Sequence, residues 1–226
     1  MKKYNIGLIR VVSFEDEDLL NLHGDIIEKC YPNLNVVSKA IPDQPFGIHD
    51  DKTEMIAVPK IIELAKEWKG LDGLIISCAG DPGVEELRKI LDIPVVGAGE
   101  STALMARRYG EVYGVLGITK EIPGAYREIL GSNIVWTCDV DGVVSTLDLM
   151  SDKGRKKVIE KAVKLKELGA EVIALACTGM ATIGIAREVE EICSIPVIDP
   201  VIAEGLITLY EVTRKSKVYE RKYQTI

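Results

Sequence analysis

The sequence predicts an α/β protein of two similar domains, each a parallel sheet with helices on both faces. Three observations carry that expectation. Leu71 to Glu100 reads as an apolar strand over Gly73–Ser77, a cysteine at its C-terminal end, a glycine-rich turn, a short helix and a small strand opened by Pro94. Glu171 to Glu204 repeats that order, with Cys177, Gly179 and Ile195-Pro196-Val197 in matching places. Each unit is preceded by a similar opening strand, Ile6-Gly7-Leu8 in one half and Tyr113-Gly114-Val115 in the other. Two copies of one plan imply a pseudo-two-fold axis. The expected division is 1–98 plus 206–226 for the first domain and 99–205 for the second, with crossing helices near Gly99 and Pro200.

The elements follow in order. Tyr4–Val12 is an apolar run suited to a buried parallel strand. The acidic run Glu15–Asp18 opens a helix whose buried stripe is Leu19, Leu20, Leu22, Ile26 and Ile27, with Tyr31-Pro32 as the stop. Val36–Ala40 is the second strand. The segment from Ile41 to Asp51, with two prolines and a glycine, is too long for a simple connector. Thr53 is the expected cap of the helix that runs to about Trp68. After the first cysteine unit, Gly99–Tyr109 is helical and leads into the second half. There the strand Glu111–Ile118, a helix from Pro123 and the strand Asn133–Asp139 precede a loop over Asp141–Asp152. A long helix from Ser151 or Asp152 ends at Gly169. A last helix from about Pro200 to Thr213 leaves a polar tail.

Composition narrows the class. The 226 residues are 47% apolar and 28% charged, with a net charge of −7 and both signs mixed along the chain. No clustered basic face suggests nucleic acid, and no apolar run reaches the length of a membrane span. Five cysteines without close metal-like spacing point to thiols in a reducing compartment, so a cytoplasmic protein without a signal peptide is expected.

The chemistry is expected where the repeats place sulfur. Ligands of open parallel sheets bind beyond the C-terminal strand ends, and both Cys78 and Cys177 fall there. If the halves face each other, two thiols enter one cleft from opposite sides. Such a pair can invert a carbon beside a carbonyl, one sulfur removing a proton from one face while the other returns a proton to the opposite face. Near-attack contact on both sides asks for sulfurs roughly 6–7 Å apart, too far for a disulfide. The flanking runs, Ala79-Gly80-Asp81 and Thr178-Gly179, lead into helix N-termini whose amides can hold a thiolate or an enolate oxygen. Asp81 before Pro82 reads equally as an N-cap with proline at N1, and Thr178 as an N-cap or a ligand donor. Cys30, Cys138 and Cys193 lack this context and read as small packed residues. His23 lies near an apolar helical face and reads as a packed histidine, whereas His49 in the proline-rich loop is a candidate for the cleft.

The runs Cys78-Ala79-Gly80-Asp81-Pro82-Gly83 with Ile93-Pro94-Val95-Val96-Gly97, and Ala176-Cys177-Thr178-Gly179-Met180 with Pro196-Val197-Ile198-Asp199-Pro200, resemble the aspartate/glutamate/hydantoin racemase superfamily. The hydantoin racemase branch is the most similar. That resemblance implies two Rossmann-like domains, a final helix returning to the first, two catalytic cysteines and no cofactor. Members of that branch often carry an Asn-Pro-Asn-Thr-like turn after the first strand, where this chain has Arg10-Val11-Val12-Ser13. Glutamate racemases carry a histidine where this chain has Gly179, which argues against that branch.

The expected function is therefore racemisation at C5 of a 5-substituted hydantoin, with Cys78 and Cys177 as acid and base. A small-molecule substrate and a homo-oligomer are expected, with neither nucleic acid nor membrane as partner. Substrate contacts are expected from Ala79, Gly80, Asp81, Thr178, Gly179 and Ser13, with Phe46 and Ile48 lining a side pocket. Arg10 is the candidate for a carboxylate partner, which would favour aspartate or another amino acid instead. A different class, a two-domain protein closing on a small anion, would need no pair of thiols. A thiol-redox role would call for the Cys-x-x-Cys that is absent here.

Overall fold

A computed structural model describes residues 2–136 and 146–216 of the chain. Cys138, the end of the expected strand Asn133–Asp139, much of the loop before Asp152 and the tail beyond Ser216 lie outside the described residues. The first half runs β1 (Tyr4–Arg10), α1 (Glu17–Cys30), β2 (Leu34–Ala40), α2 (Asp51–Glu67), β3 (Gly73–Ser77), α3 (Val84–Ile90) and β4 (Val95–Gly97). Helix α4 (Ala98–Ala106) follows at once. The second half runs β5 (Tyr113–Leu116), α5 (Gly124–Leu130), β6 (Ile134–Trp136), a 3-10 turn (Thr146–Met150), α6 (Asp152–Glu167), β7 (Val172–Leu175), α7 (Gly179–Thr182), α8 (Ala186–Cys193) and β8 (Val197–Ile198), and α9 (Pro200–Lys215) closes the chain.

Each half holds a four-stranded sheet, and the two orders, β2-β1-β3-β4 and β6-β5-β7-β8, are the same plan shifted by four strands. Every described pairing is parallel. The central strands β3, β5 and β7 are buried along their whole length, as a sheet with helices on both faces requires. The predicted α/β architecture of two similar parallel-sheet units is therefore the observed one.

Capping chemistry sets the helix starts, as expected for α6 and α9 and differently for α2. Asp16 accepts the amides of Asp18 and Leu19 and starts α1. The cap of α2 is Asp50; Thr53 is its reciprocal partner in a capping box, not the cap itself. Ser151 caps α6 by accepting from Gly154, and Asp199 caps α9 with Pro200 in its first turn. The Asp81-Pro82 pair caps no helix of its own, because α3 starts only after Gly83, which takes a left-handed φ of 73°.

The two crossing helices are exchanged between the halves. Helix α4 follows the first sheet, yet its Ala103 and Ala106 pack with Tyr113, Val115, Tyr126 and Val172 of the second half. Helix α9 follows the second sheet and packs against β3 and β4, its Val201 and Val212 sharing a core with Ile6, Leu8 and Ile75. The two helices also lie against each other. Gly73 in β3 is what lets α9 approach, since a Cβ there would stand 2.9 Å from Val212 Cγ1.

Leu8 sits at the middle of this first core and is fully buried. Leu8→Ala should lower the unfolding free energy by about 3 kcal/mol in urea titrations, from lost transfer energy and a residual cavity.

Candidate active site

Both cysteines stand at the C-terminal ends of equivalent strands, Cys78 directly after β3 and Cys177 two residues after β7. Cys78 is half-buried and Cys177 is 8% exposed; no disulfide joins them, and Cys30 and Cys193 are likewise unbridged. Each loop reaches into the opposite half. Ala79, next to Cys78, packs in the core of β5 and β7, and Ala181, four residues after Cys177, packs in the core of β1 and β3. Thr178 tightens the seam: its hydroxyl donates to the Ser77 carbonyl at 3.3 Å and leaves the N-terminus of α7 without a side-chain cap.

Asp81 anchors the Cys78 loop to the crossing helix. Its carboxylate accepts from the amides of Gly99 at 2.7 Å and Glu100 at 2.6 Å, so it serves the N-terminus of α4. Asp81 itself holds a positive φ of 54°, and its amide donates to the Cys78 carbonyl. The fit leaves no room for side chains opposite: a Cβ on Gly97 would meet Asp81 Oδ1 at 2.3 Å, and one on Gly99 would meet the Ala79 carbonyl oxygen at 2.3 Å. Burial pushes Asp81 up from 3.8 to about 7, against the pull of the two amides.

The surroundings of Cys78 favour its protonated form. Burial, with the charges of Asp81, Cys177 and Glu54 behind it, pushes the thiol up to about 12, while the Gly80 amide opposes this. Glu54, in the first turn of α2, is itself raised by burial and by Asp51 and Glu86. No signal in the sequence set Glu54 apart, since an acid in a first helical turn reads as a complement to the helix dipole. Beside it a concavity of about 410 Å³ is lined by Asp51, Glu54, Met55, Val58 and Pro59. A larger one of about 550 Å³ lies against α4, α8 and α9 and is lined by neither cysteine. Tyr126, fully buried, donates to the Leu175 carbonyl at 2.9 Å and lies within the field of both cysteines.

Behind the cysteines runs a buried polar network. His23 Nδ1 is 2.8 Å from Ser77 Oγ, and Nε2 is 2.9 Å from Thr182 Oγ1. Ser77 Oγ donates to Glu204 Oε1 at 2.7 Å. Burial and the Arg10 charge hold His23 well below the usual imidazole value, so the ring is neutral. Burial drives Glu204 well above the carboxylate range. His23 is the packed histidine expected from its helical face, but its polar partners come from segments far away in the chain.

The expectation for Arg10 as a carboxylate partner is corrected here. Its side chain is 3% exposed, donates Nη1 to the carbonyls of Leu19 at 2.8 Å and Leu20 at 3.2 Å, and lies over the Phe14 ring. Burial lowers it to about 10 despite the nearby Glu204. Sequence could place Arg10 at a strand end but could not tell which way it faced. Ser13 is occupied within the loop, donating to the Ile41 carbonyl and accepting from the Gln44 amide. Phe46 is 63% exposed, and Ile48 packs against the core under α2. His49 is half-buried, with Nδ1 unpartnered. Among the described residues no three His, Cys, Asp or Glu side chains form a metal cluster, and no helix is long and apolar enough to cross a membrane.

Residues 28–204 match the family model described as Asp/Glu/Hydantoin racemase. The chain belongs to that family. As a member of the Asp/Glu/hydantoin racemases it is an isomerase. It is 29% identical over 198 residues to a hydantoin racemase from a Pseudomonas sp., covering 78% of this chain and 75% of the relative. A hydantoin racemase from Paenarthrobacter aurescens is 26% identical over 186 residues, with 77% and 78% covered. In fold it is similar to an allantoin racemase from Klebsiella pneumoniae, with a TM-score of 0.81, 24% identity and coverage of 94% of this chain and 89% of that one.

Two outcomes test the electrostatics around Cys78 and Asp81. Iodoacetamide should label Cys78 at a rate still climbing above pH 9.0, the ordinary thiol value, because its thiolate forms late. Folded Asp81 keeps its proton to about pH 7, whereas the unfolded chain releases it near 3.8. Its contribution to stability is therefore complete below the unfolded value and is lost as pH rises to the folded one. The stability of the wild type relative to Asp81→Asn should fall across that window and level off above it, as read by urea titration.

Proposed function

We propose that the protein racemises 5-substituted hydantoins at C5, using Cys78 and Cys177 as acid and base on opposite faces of the ring. The observation that carries this reading is the placement of one thiol at the end of β3 and one at the end of β7, each loop packed into the other half. One sulfur, as thiolate, takes the C5 proton, and the electron pair of that C–H bond moves into the adjacent C4 carbonyl to give an enolate. The other sulfur, as thiol, delivers its proton to the opposite face while the C4 carbonyl re-forms. Atoms balance with the two sulfurs alone, and the roles of thiol and thiolate are exchanged at the end of the turnover. The raised Cys78 thiol suits it to begin as the proton donor, with Cys177 as the base.

The substrate class is supported by three features. A hydantoin presents carbonyls to backbone donors and needs no fixed cation, and Arg10 is committed to α1 carbonyls. Asp81 and Glu54 add negative potential at Cys78, which disfavours the second carboxylate of aspartate or glutamate. The relatives described above include hydantoin racemases and an allantoin racemase, and allantoin is itself a hydantoin substituted at C5. In this reading backbone amides of Ala79, Gly80, Thr178 and Gly179 contact the ring. The 5-substituent extends towards Ile48 and the concavity beside Glu54 and Met55.

In D₂O the protein should place deuterium at C5 of a hydantoin with an apolar 5-substituent, without added pyridoxal phosphate or metal. Exchange should exceed that at the α-carbon of aspartate or glutamate. Cys78→Ser and Cys177→Ser should each cut racemisation roughly 100-fold or more, since a hydroxyl is a far weaker base than a thiolate. Faster exchange with aspartate would overturn the substrate, and full turnover by Cys177→Ser would overturn the two-thiol mechanism.

A further inference from the structure

We propose that His23 is a positioning residue that fixes the two cysteine loops relative to each other. This rests on the two-thiol reading above and names the element that sets its geometry. Acid and base on opposite faces of one carbon must be placed to a fraction of an ångström, yet here they belong to different halves of the chain. The distance between them is thus set by whatever crosses the seam. His23 crosses it with a rigid, neutral ring that is completely buried.

Its two nitrogens reach one residue in each cysteine segment, Ser77 beside Cys78 and Thr182 five positions after Cys177. Nδ1 meets Ser77, which directly precedes Cys78, at 2.8 Å. Nε2 meets Thr182 at 2.9 Å, and Thr182 closes the short helix that begins two residues after Cys177. That helix is a single stiff turn, because the Thr182 amide donates back to the Thr178 carbonyl. Ser77 is held from its other side by Glu204 of α9, and its carbonyl accepts the Thr178 hydroxyl. A neutral imidazole offers one donor and one acceptor: the Ser77 hydroxyl, which donates to Glu204, accepts from Nδ1, and the Thr182 hydroxyl can donate to Nε2. The ring therefore satisfies both loops without bringing a charge into the cleft. Arg10 Nη1 is spent on carbonyls of α1, the helix that carries His23, and so fixes the ring's own platform.

The test uses thiol labelling, which needs no substrate and is independent of whether hydantoins are turned over. Iodoacetamide labelling of the intact protein, read by peptide mass spectrometry, follows Cys78 and Cys177 separately, with exposed Cys30 as internal control. Thr182→Val keeps the side-chain shape and removes the hydroxyl. It should change the Cys177 rate by about fivefold and leave Cys78 near wild type, whereas Ser77→Ala should do the reverse. His23→Leu should change both, and Thr182→Ser should restore the wild-type pattern. Circular dichroism melts show that each variant is folded when labelled. If Thr182→Val leaves both rates unchanged, or moves the two together, the proposal is overturned whether or not stability falls. The expected labelling pattern in a protein that exchanges no hydantoin proton would uphold the bridge and refute the hydantoin reading.

Discussion

Everything else in this molecule depends on the seam where each half completes the core of the other. The first sheet is covered by a helix that follows the second, and the second by a helix that follows the first. The same reciprocity recurs at finer scale, with Ala79 and Ala181 each buried in the core opposite to its own strand. Burying small apolar side chains across a seam is non-directional and would tolerate sliding. The polar contacts among Thr178, Ser77, His23 and Thr182 are directional and remove that freedom.

The electrostatics of the site follow from the same burial. Removing Cys78 from water beside Asp81 and Glu54 raises its thiol, so the resting group holds its proton. A donor that keeps its proton until an enolate forms opposite is useful only if the carbon is already acidic. In the proposed reading a hydantoin, whose C5 adjoins the C4 carbonyl, supplies that acidity, and the protein then has less activation to provide. The crowding of Asp81 against Gly97 and Gly99 keeps the Cys78 loop close to the crossing helix at the cost of a buried carboxyl group.

Much of the fold was legible because its signals are local or periodic. The apolar runs at Tyr4 and Gly73, the repeat around Cys78 and Cys177, and the Gly169 stop all act over a few residues, and the helices and strands fell close to where these signals put them. Cap assignments failed where two candidates stood close together, as with Asp50 and Thr53. The role of Asp81 was hidden because its partners, the amides of Gly99 and Glu100, belong to another element. Arg10 was misread for the same kind of reason: a strand end shows position, not which of two buried faces receives the side chain. His23 was recognisable as a packed residue, but contacts spanning 54 and 159 positions leave no mark in sequence spacing.

The exchange of α4 and α9 also limits how the halves can move against each other. A protein whose halves are joined by one flexible strand can swing open about it, but here two helices cross, each embedded in the half it does not follow and each lying against the other. A wide hinge rotation would tear both cores at once. What remains is a small sliding of α4 over α9, with the side chains staying interlocked. In the proposed reading, substrate entry is then a matter of ångströms of shear, and a thin, flat ring is the shape such a motion admits.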